Sequence, residues 1–364
     1  MKTNIGSHFI LGFEGTVMSP ALGALLKRIQ PAGVCLFKRN IISAEQTWEL
    51  LRECQRRVPA PLFTCVDMEG GTVDRLRDVF GPSPSAAEVF ATGDRGLFRL
   101  HGKTIAAICR AVGFNVDFAP TLDLALPPAL PVMTSRVISN DPGETAAYAR
   151  AFLKGLADSG VLGCGKHFPG LGEVPLDTHK DLPVVEKTLR QLLAEDVEPY
   201  RALRRDLPFV MVCHAIYTAS KDGLPASLSK KWMADVLREK LGYAGLIVTD
   251  DMEMGALQSV APMEQASVQS LKAGADLLLI CRQEEQIVRA FDSVAREAER
   301  NSRFAAKLQE SSKRIARHKK KFAKLLDLRK LPRPTHAKVE KLSRQVWELE
   351  ERVRLEKVAG EDAP

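Results

Sequence analysis

The chain has 364 residues, 45% of them hydrophobic and 27% charged, a balance that supports a buried core and excludes a disordered or fibrous protein. Of the net charge of +7, residues 301–364 carry +9 and the first 300 residues −2, so the basicity belongs to the tail and the body does not read as a nucleic-acid-binding surface. The length fits one α/β barrel of about 250 to 300 residues with an appendage.

The opening residues, MKTNIGSHFILGFEG, hold one lysine and no long apolar stretch, so no signal peptide is expected. No later run reaches the roughly 18 apolar residues of a membrane span. The expected location is therefore the cytoplasm. The seven cysteines suit this: they form no CxxC pair and no metal-ligand spacing, and five lie in apolar runs. No metal and no cofactor is expected.

Eight short apolar runs then recur in chain order: 9–13, 34–37, 62–67, 116–123, 161–168, 209–214, 245–251 and 275–281. Their composition suits strands buried on both faces. Segments of helical periodicity lie between them, at 18–29, 44–57, 97–112, 143–159, 188–205, 229–241 and 284–298. Strand–helix alternation of this kind predicts a parallel sheet, and eight repeats predict a (β/α)8 TIM-type barrel. A doubly wound open sheet is the rival, but no GxGxxG or GxxxxGK[ST] follows any strand. The tail differs. Residues 311–330 form a basic helical run, and LPRPTH (331–336) breaks it. Val339, Leu342, Val346, Leu349 and Val353 then repeat at heptad spacing. The division expected is a barrel over 1–305 and a basic, helical C-terminal extension over 306–364. The extension packs on the barrel or on a partner chain, and a short coil through it makes an oligomer possible.

Polar residues stand where the apolar runs end: Asp67, Asp123, Lys166 with His167, His214, and Asp250 with Asp251. In a barrel these ends form one ring at the C-terminal face, where active sites lie. Taken alone, each could be a helix cap or a solvated turn. The pair in VTDDMEM (248–254) offers a nucleophile, a base or a metal ligand, with no choice among them. The stretch KHFPGLGEVPLDTHKDLP (166–183) crowds two lysines, two histidines and three acids among three prolines, which excludes a helix or a central strand. Within it, Asp177 precedes His179 by two residues. In an extended segment the two project to one side, so the carboxylate could fix the imidazole tautomer for acid/base work; an exposed histidine beside an Asx turn is the plainer alternative. Arg75, after the Gly-Gly of VDMEGGTVDRLR (66–77), and Arg136, in TSRVISNDP (134–142), could each bind an oxygen-rich ligand or pair with an acid.

From about residue 8 to about residue 300 the sequence resembles the single-domain bacterial β-N-acetylglucosaminidases of glycoside hydrolase family 3. The resemblance rests on GFEG, GVCLFKRNI, VDMEGGTVDRLR, VDFAPTLDL, GKHFPGLGEVPLDTHKDLP, VMVCHAIY and GLIVTDDMEMGA, in that order. It implies Asp250 as catalytic nucleophile, His179 as acid/base and Asp177 as its partner. It implies that Asp67, Arg75, Arg136, Lys166 and His167 hold the sugar, and that His214 and Met254 line the pocket. The implied activity is removal of terminal β-linked N-acetylglucosamine from cell-wall muropeptides with retention, in peptidoglycan recycling. The partner is then a carbohydrate, with no nucleic acid and no membrane span. A β-glucosidase or broader hexosaminidase, and a weakly catalytic sugar-binding or scaffold protein, are the alternatives. Three positions depart from the family pattern: Leu171 stands where histidine is usual, and Met68 and Thr72 change the usual QEGGRV.

Overall fold

The computed structural model describes residues 4–174 and 182–361. Eight parallel strands close a barrel in sequence order: β1 (Phe9–Leu11), β2 (Gly33–Cys35), β3 (Phe63–Val66), β4 (Val116–Asp117), β5 (Leu162–Phe168), β6 (Phe209–Val212), β7 (Leu246–Asp251) and β8 (Leu277–Ile280). β8 returns to β1, with Phe9 opposite Leu278 and Leu11 opposite Ile280. The chain is thus a (β/α)8 TIM-type barrel. Side chains alternate along each strand, as the pleat requires. Ile10, Phe63, Cys65, Cys164, Phe209, Met211, Val248 and Leu279 fill the interior. Phe9, Leu11, Val34, Val66, Val210, Val212 and Ile247 pack outward under the helices. This double burial is why the strands read as unbroken apolar runs.

Helices fall at the expected places, with three differences. The run 188–205 is two short helices, Leu189–Ala194 and Glu198–Leu203, and the second carries Pro199 in its first turn, where a missing amide is tolerated but a continuous helix is not. Lys231–Lys240 winds wider than an α-helix. A further helix, Met263–Ala273, joins β7 to β8 where the sequence showed none, because Gly255, Ser259 and Pro262 blur its start. Residues 166–168, where the expected strand 161–168 overlaps the stretch 166–183 expected in a loop, are the last of β5. Its ladder to β6 shifts register between Gly165 and Phe168, so the strand bends there instead of stopping.

The C-terminal region is helical and closes the barrel's lower end. In the helix Ser302–Lys321, Ile315 enters the interior cluster. The His318 ring lies against Phe209 and Phe63, at 5.3 and 6.4 Å between centroids, and Lys319 Nζ donates to the carbonyls of Ala32 and Pro61 at 2.7 and 2.5 Å. The buried Asp276 carboxylate accepts from Ser311 and Arg314 of this helix and from Arg238. The last helix, His336–Glu361, buries Leu342, Val346, Leu349 and Val353 in the outer core of the same chain. The heptad-spaced stripe is therefore occupied by this chain's own barrel. No described helix is long and apolar enough to cross a membrane. The helix Ser302–Lys321 thus occupies the lower end, opposite the C-terminal ends of the strands.

Candidate active site

The ends of β3, β5 and β7, with the loops that follow β3 and β4, bring the charged groups to one cavity of about 250 Å³. Asp67, Arg75, Arg136, Lys166, His167, Asp250 and Met254 all line it. Seven of the ten residues expected to form the site are thus brought together. Asp177 and His179 lie outside the described residues, although Val174, shortly before them, lines the cavity wall.

His214 is the exception. It does not line the cavity, and both of its ring nitrogens are taken within the protein. Nδ1 lies 2.6 Å from Ser227 Oγ, and Nε2 lies 2.9 Å from the Asp251 carbonyl. The expectation that it lines the pocket is corrected accordingly. Its position after an apolar strand marked the right end of the barrel but not the direction of the ring.

The floor is an ion network around Glu69, a residue the sequence reading passed over. Glu69 is buried and accepts from Arg136 Nε and Nη2 at 3.0 and 2.9 Å, from Lys166 Nζ at 2.7 Å and from Thr121 Oγ1 at 2.9 Å. Burial alone would raise its pKa, but the Arg136 and Lys166 charges outweigh that and hold it well below the usual carboxylate range. Lys166 also donates to Asp67 at 2.7 Å, and against the cost of burial these two carboxylates hold its ammonium above the ordinary lysine value. Asp123, seen only as a strand-end charge, holds the His167 imidazole. Its carboxylate bonds Nδ1 at 2.6 Å and accepts the His167 and Leu171 amides at 3.2 and 2.8 Å. An acceptor on Nδ1 places a proton there, and Nε2 of the same ring lies 3.4 Å from Arg136 Nη2. Arg75 lines the cavity with a buried Nε that has no protein partner among the described residues.

Asp250 sits at a bulge. β7 runs in register with β8 at Val248 and again at Asp251, with one residue too many between, and a bulge re-aims the side chains it carries. Asp250 Oδ1 accepts the Asp251 amide at 2.8 Å. Burial would raise its pKa, yet His167, His214, the Asp251 amide and Lys166 together lower it below the ordinary value. The group is therefore an anion at neutral pH, half-buried at the cavity wall, with the Lys166 ammonium and two imidazoles nearby. Asp251 differs: burial, helped by the Glu253 and Asp250 charges, raises it to about 7. Folding then takes up a proton between about pH 4 and pH 7, so Asp251 costs stability as pH rises through that window. Asp251→Asn keeps an oxygen for the Glu253 and Cys281 amides. It should stabilise the protein by about 3 kcal/mol more at pH 8 than at pH 4.5. Urea unfolding at the two pH values measures this, and an equal effect at both would remove Asp251 as the titrating group.

Comparison with known proteins agrees with this geometry. The family model "Glycosyl hydrolase family 3 N terminal domain" matches residues 11–318. The chain belongs to glycoside hydrolase family 3. This hydrolase is 34% identical over 291 residues to a β-hexosaminidase of Idiomarina loihiensis, covering 79% of this chain and 87% of that protein. It is 36% identical to one of Thioalkalivibrio sulfidiphilus, covering 78% and 83%. Among solved structures, a family 3 β-N-acetylglucosaminidase of Paenibacillus sp. FPU-7 superposes with a TM-score of 0.87 at 29% identity, over 96% of this chain and 68% of that one. A β-N-acetylhexosaminidase of Beutenbergia cavernae gives 0.80 at 25%, over 88% and 98%. The match to the family model ends at residue 318, inside the helix that plugs the barrel.

Two of the departures from the family pattern meet the site. Leu171 presents an apolar side chain to the cavity, its amide fixed by Asp123. Thr72 bonds Ser135 at 2.9 Å and so joins the loop of Arg75 to the loop of Arg136.

Proposed function

We propose that this hydrolase is a retaining exo-β-N-acetylhexosaminidase. The observation that carries the reading is the placement of Asp250 at the wall of a small cavity ringed by Asp67, Arg75, Arg136, Lys166 and His167. A cavity of about 250 Å³ is at the small end for ligand pockets and has room for one sugar ring. Polar groups on several strands can bind its hydroxyls and acetamide while the glycosidic oxygen stays at the mouth.

Asp250 attacks the anomeric carbon as the leaving oxygen takes a proton from His179, giving a glycosyl ester on Asp250. Water then attacks that carbon, His179 accepts its proton, and the ester bond breaks. Two inversions give net retention. Asp177 holds the imidazole in the required tautomer and supports the imidazolium. The natural substrate we place among muropeptides that carry terminal β-linked N-acetylglucosamine, within peptidoglycan recycling; the support is the likeness to bacterial β-hexosaminidases.

The test is hydrolysis of 4-nitrophenyl N-acetyl-β-glucosaminide beside the matching β-glucoside. Cleavage of the first alone is expected. Equal cleavage of both would replace this reading with a broad glucosidase, and cleavage of neither by folded protein with a sugar-binding protein. The role of His179 has its own check. His179→Ala should slow alkyl glycosides at least about 100-fold more than 4-nitrophenyl glycosides, because only the poor leaving group needs protonation. Equal losses would remove His179 as the acid.

A further inference from the structure

The bulge that presents Asp250 has to be held in place, and its two sides are held differently. Toward β8 the bonds are many. Thr249 Oγ1 accepts the Leu279 amide at 3.1 Å, the Met252 amide donates to the Leu279 carbonyl at 2.8 Å, and Asp251 Oδ1 accepts the Cys281 amide at 3.2 Å. Toward β6 the ladder ends at Thr249 opposite Val212. Beyond it, among the described residues, β6 turns away, since the Cys213 amide bonds the Phe168 carbonyl of β5 instead. The bond that crosses the resulting gap is His214 Nε2 to the Asp251 carbonyl.

We infer that Ser227 and His214 are positioning residues, a buried tether that sets where the peptide after the nucleophile sits and hence where Asp250 points. A carbonyl oxygen only accepts, so His214 Nε2 must carry the ring proton. Nδ1 is then a lone pair, and Ser227 Oγ–H donates to it at 2.6 Å. The serine is itself fixed: it is fully buried, and its amide donates to the Cys213 carbonyl at 3.1 Å. The accept-only Asp251 carbonyl thus sets the tautomer, and Ser227 Oγ–H satisfies the Nδ1 lone pair that this tautomer leaves buried. The other tautomer would set a lone pair against the carbonyl oxygen and release that side of the bulge to its remaining bond, from the Met254 amide at 3.0 Å. Burial supports the neutral ring, lowering the imidazole pKa although the Asp250 charge opposes it.

The inference rests on Asp250 being the nucleophile, and its test separates the two ideas. Ser227→Ala removes one buried hydroxyl without adding bulk. Loss of the tether should lower kcat about 10- to 100-fold on 4-nitrophenyl N-acetyl-β-glucosaminide, since misplacement by about 1 Å costs that much, with KM within about twofold because the sugar ligands are untouched. Nitrogen-15 NMR of His214 should show the Nε2–H tautomer alone in the parent protein and a share of Nδ1–H in the variant. An Nδ1–H ring in the parent, or a variant with unchanged kcat, overturns the tether. If the parent cleaves no glycoside, the proposed function fails, while the NMR result still decides the tether.

Discussion

Asp250→Asn should give a folded protein that has lost hydrolysis by a factor on the order of 10⁴ or more, as expected when a covalent nucleophile is removed. The substitution is nearly isosteric, and its amide oxygen can still accept the Asp251 amide that bonds Asp250 Oδ1. What changes is charge. The folded carboxyl is held below its unfolded pKa, so its ionisation adds stability above about pH 4 that is lost as pH falls through the folded value. Asn forfeits that contribution at neutral pH, and a modest fall in melting temperature should accompany the loss of turnover. The same depression keeps Asp250 charged throughout the ordinary working range. An acid limb near pH 6 in kcat/KM would therefore belong to another group. Retention of more than a tenth of the parent activity in a pure, folded variant would remove Asp250 from the mechanism.

The sequence made the barrel legible because parallel strands buried on both faces leave little choice of residue: eight apolar runs, from 9–13 to 275–281, became eight strands in order. It made half of the site legible for a related reason. A charge at the end of such a run, as at Asp67, Lys166 or Asp250, has only the barrel mouth to occupy. Direction was not legible. His214 and His167 both follow apolar strands, yet one ring lines the cavity and the other turns to Ser227, a choice made by residues in a separate loop. Partnership was not legible either. Glu69 and Asp123 are single acids in chain order, and only the closed barrel shows that each holds a cation or imidazole from another strand. The heptad spacing after residue 336 predicts an amphipathic stripe, but only the folded chain shows that this barrel, through its outer core, is what covers it.

Glu69→Gln should be the most damaging change at a residue that does not line the cavity. Glu69 is buried, and its two oxygens are shared between a two-point contact with Arg136 and the Lys166 ammonium. Removing one member of a buried ion pair costs about 3–5 kcal/mol, because the partner stays buried and uncompensated. Lys166 keeps Asp67, so most of the cost falls on Arg136, which makes no other carboxylate contact among the described residues. A guanidinium released from its fork can swing, and the substrate groups it should meet lose a fixed donor. Denaturant unfolding should show the stability loss, and KM should rise at least about tenfold. A loss under about 1 kcal/mol would mean that the network carries no net load. A double variant separates the two roles. Glu69→Leu with Arg136→Met replaces the pair by apolar groups of similar volume, an exchange that often restores or exceeds the parent stability. If stability returns and KM stays high, the Glu69–Arg136 pair exists to hold a donor where the sugar binds and not to hold the barrel together. Full activity in the stable double variant would show that Arg136 never touches substrate.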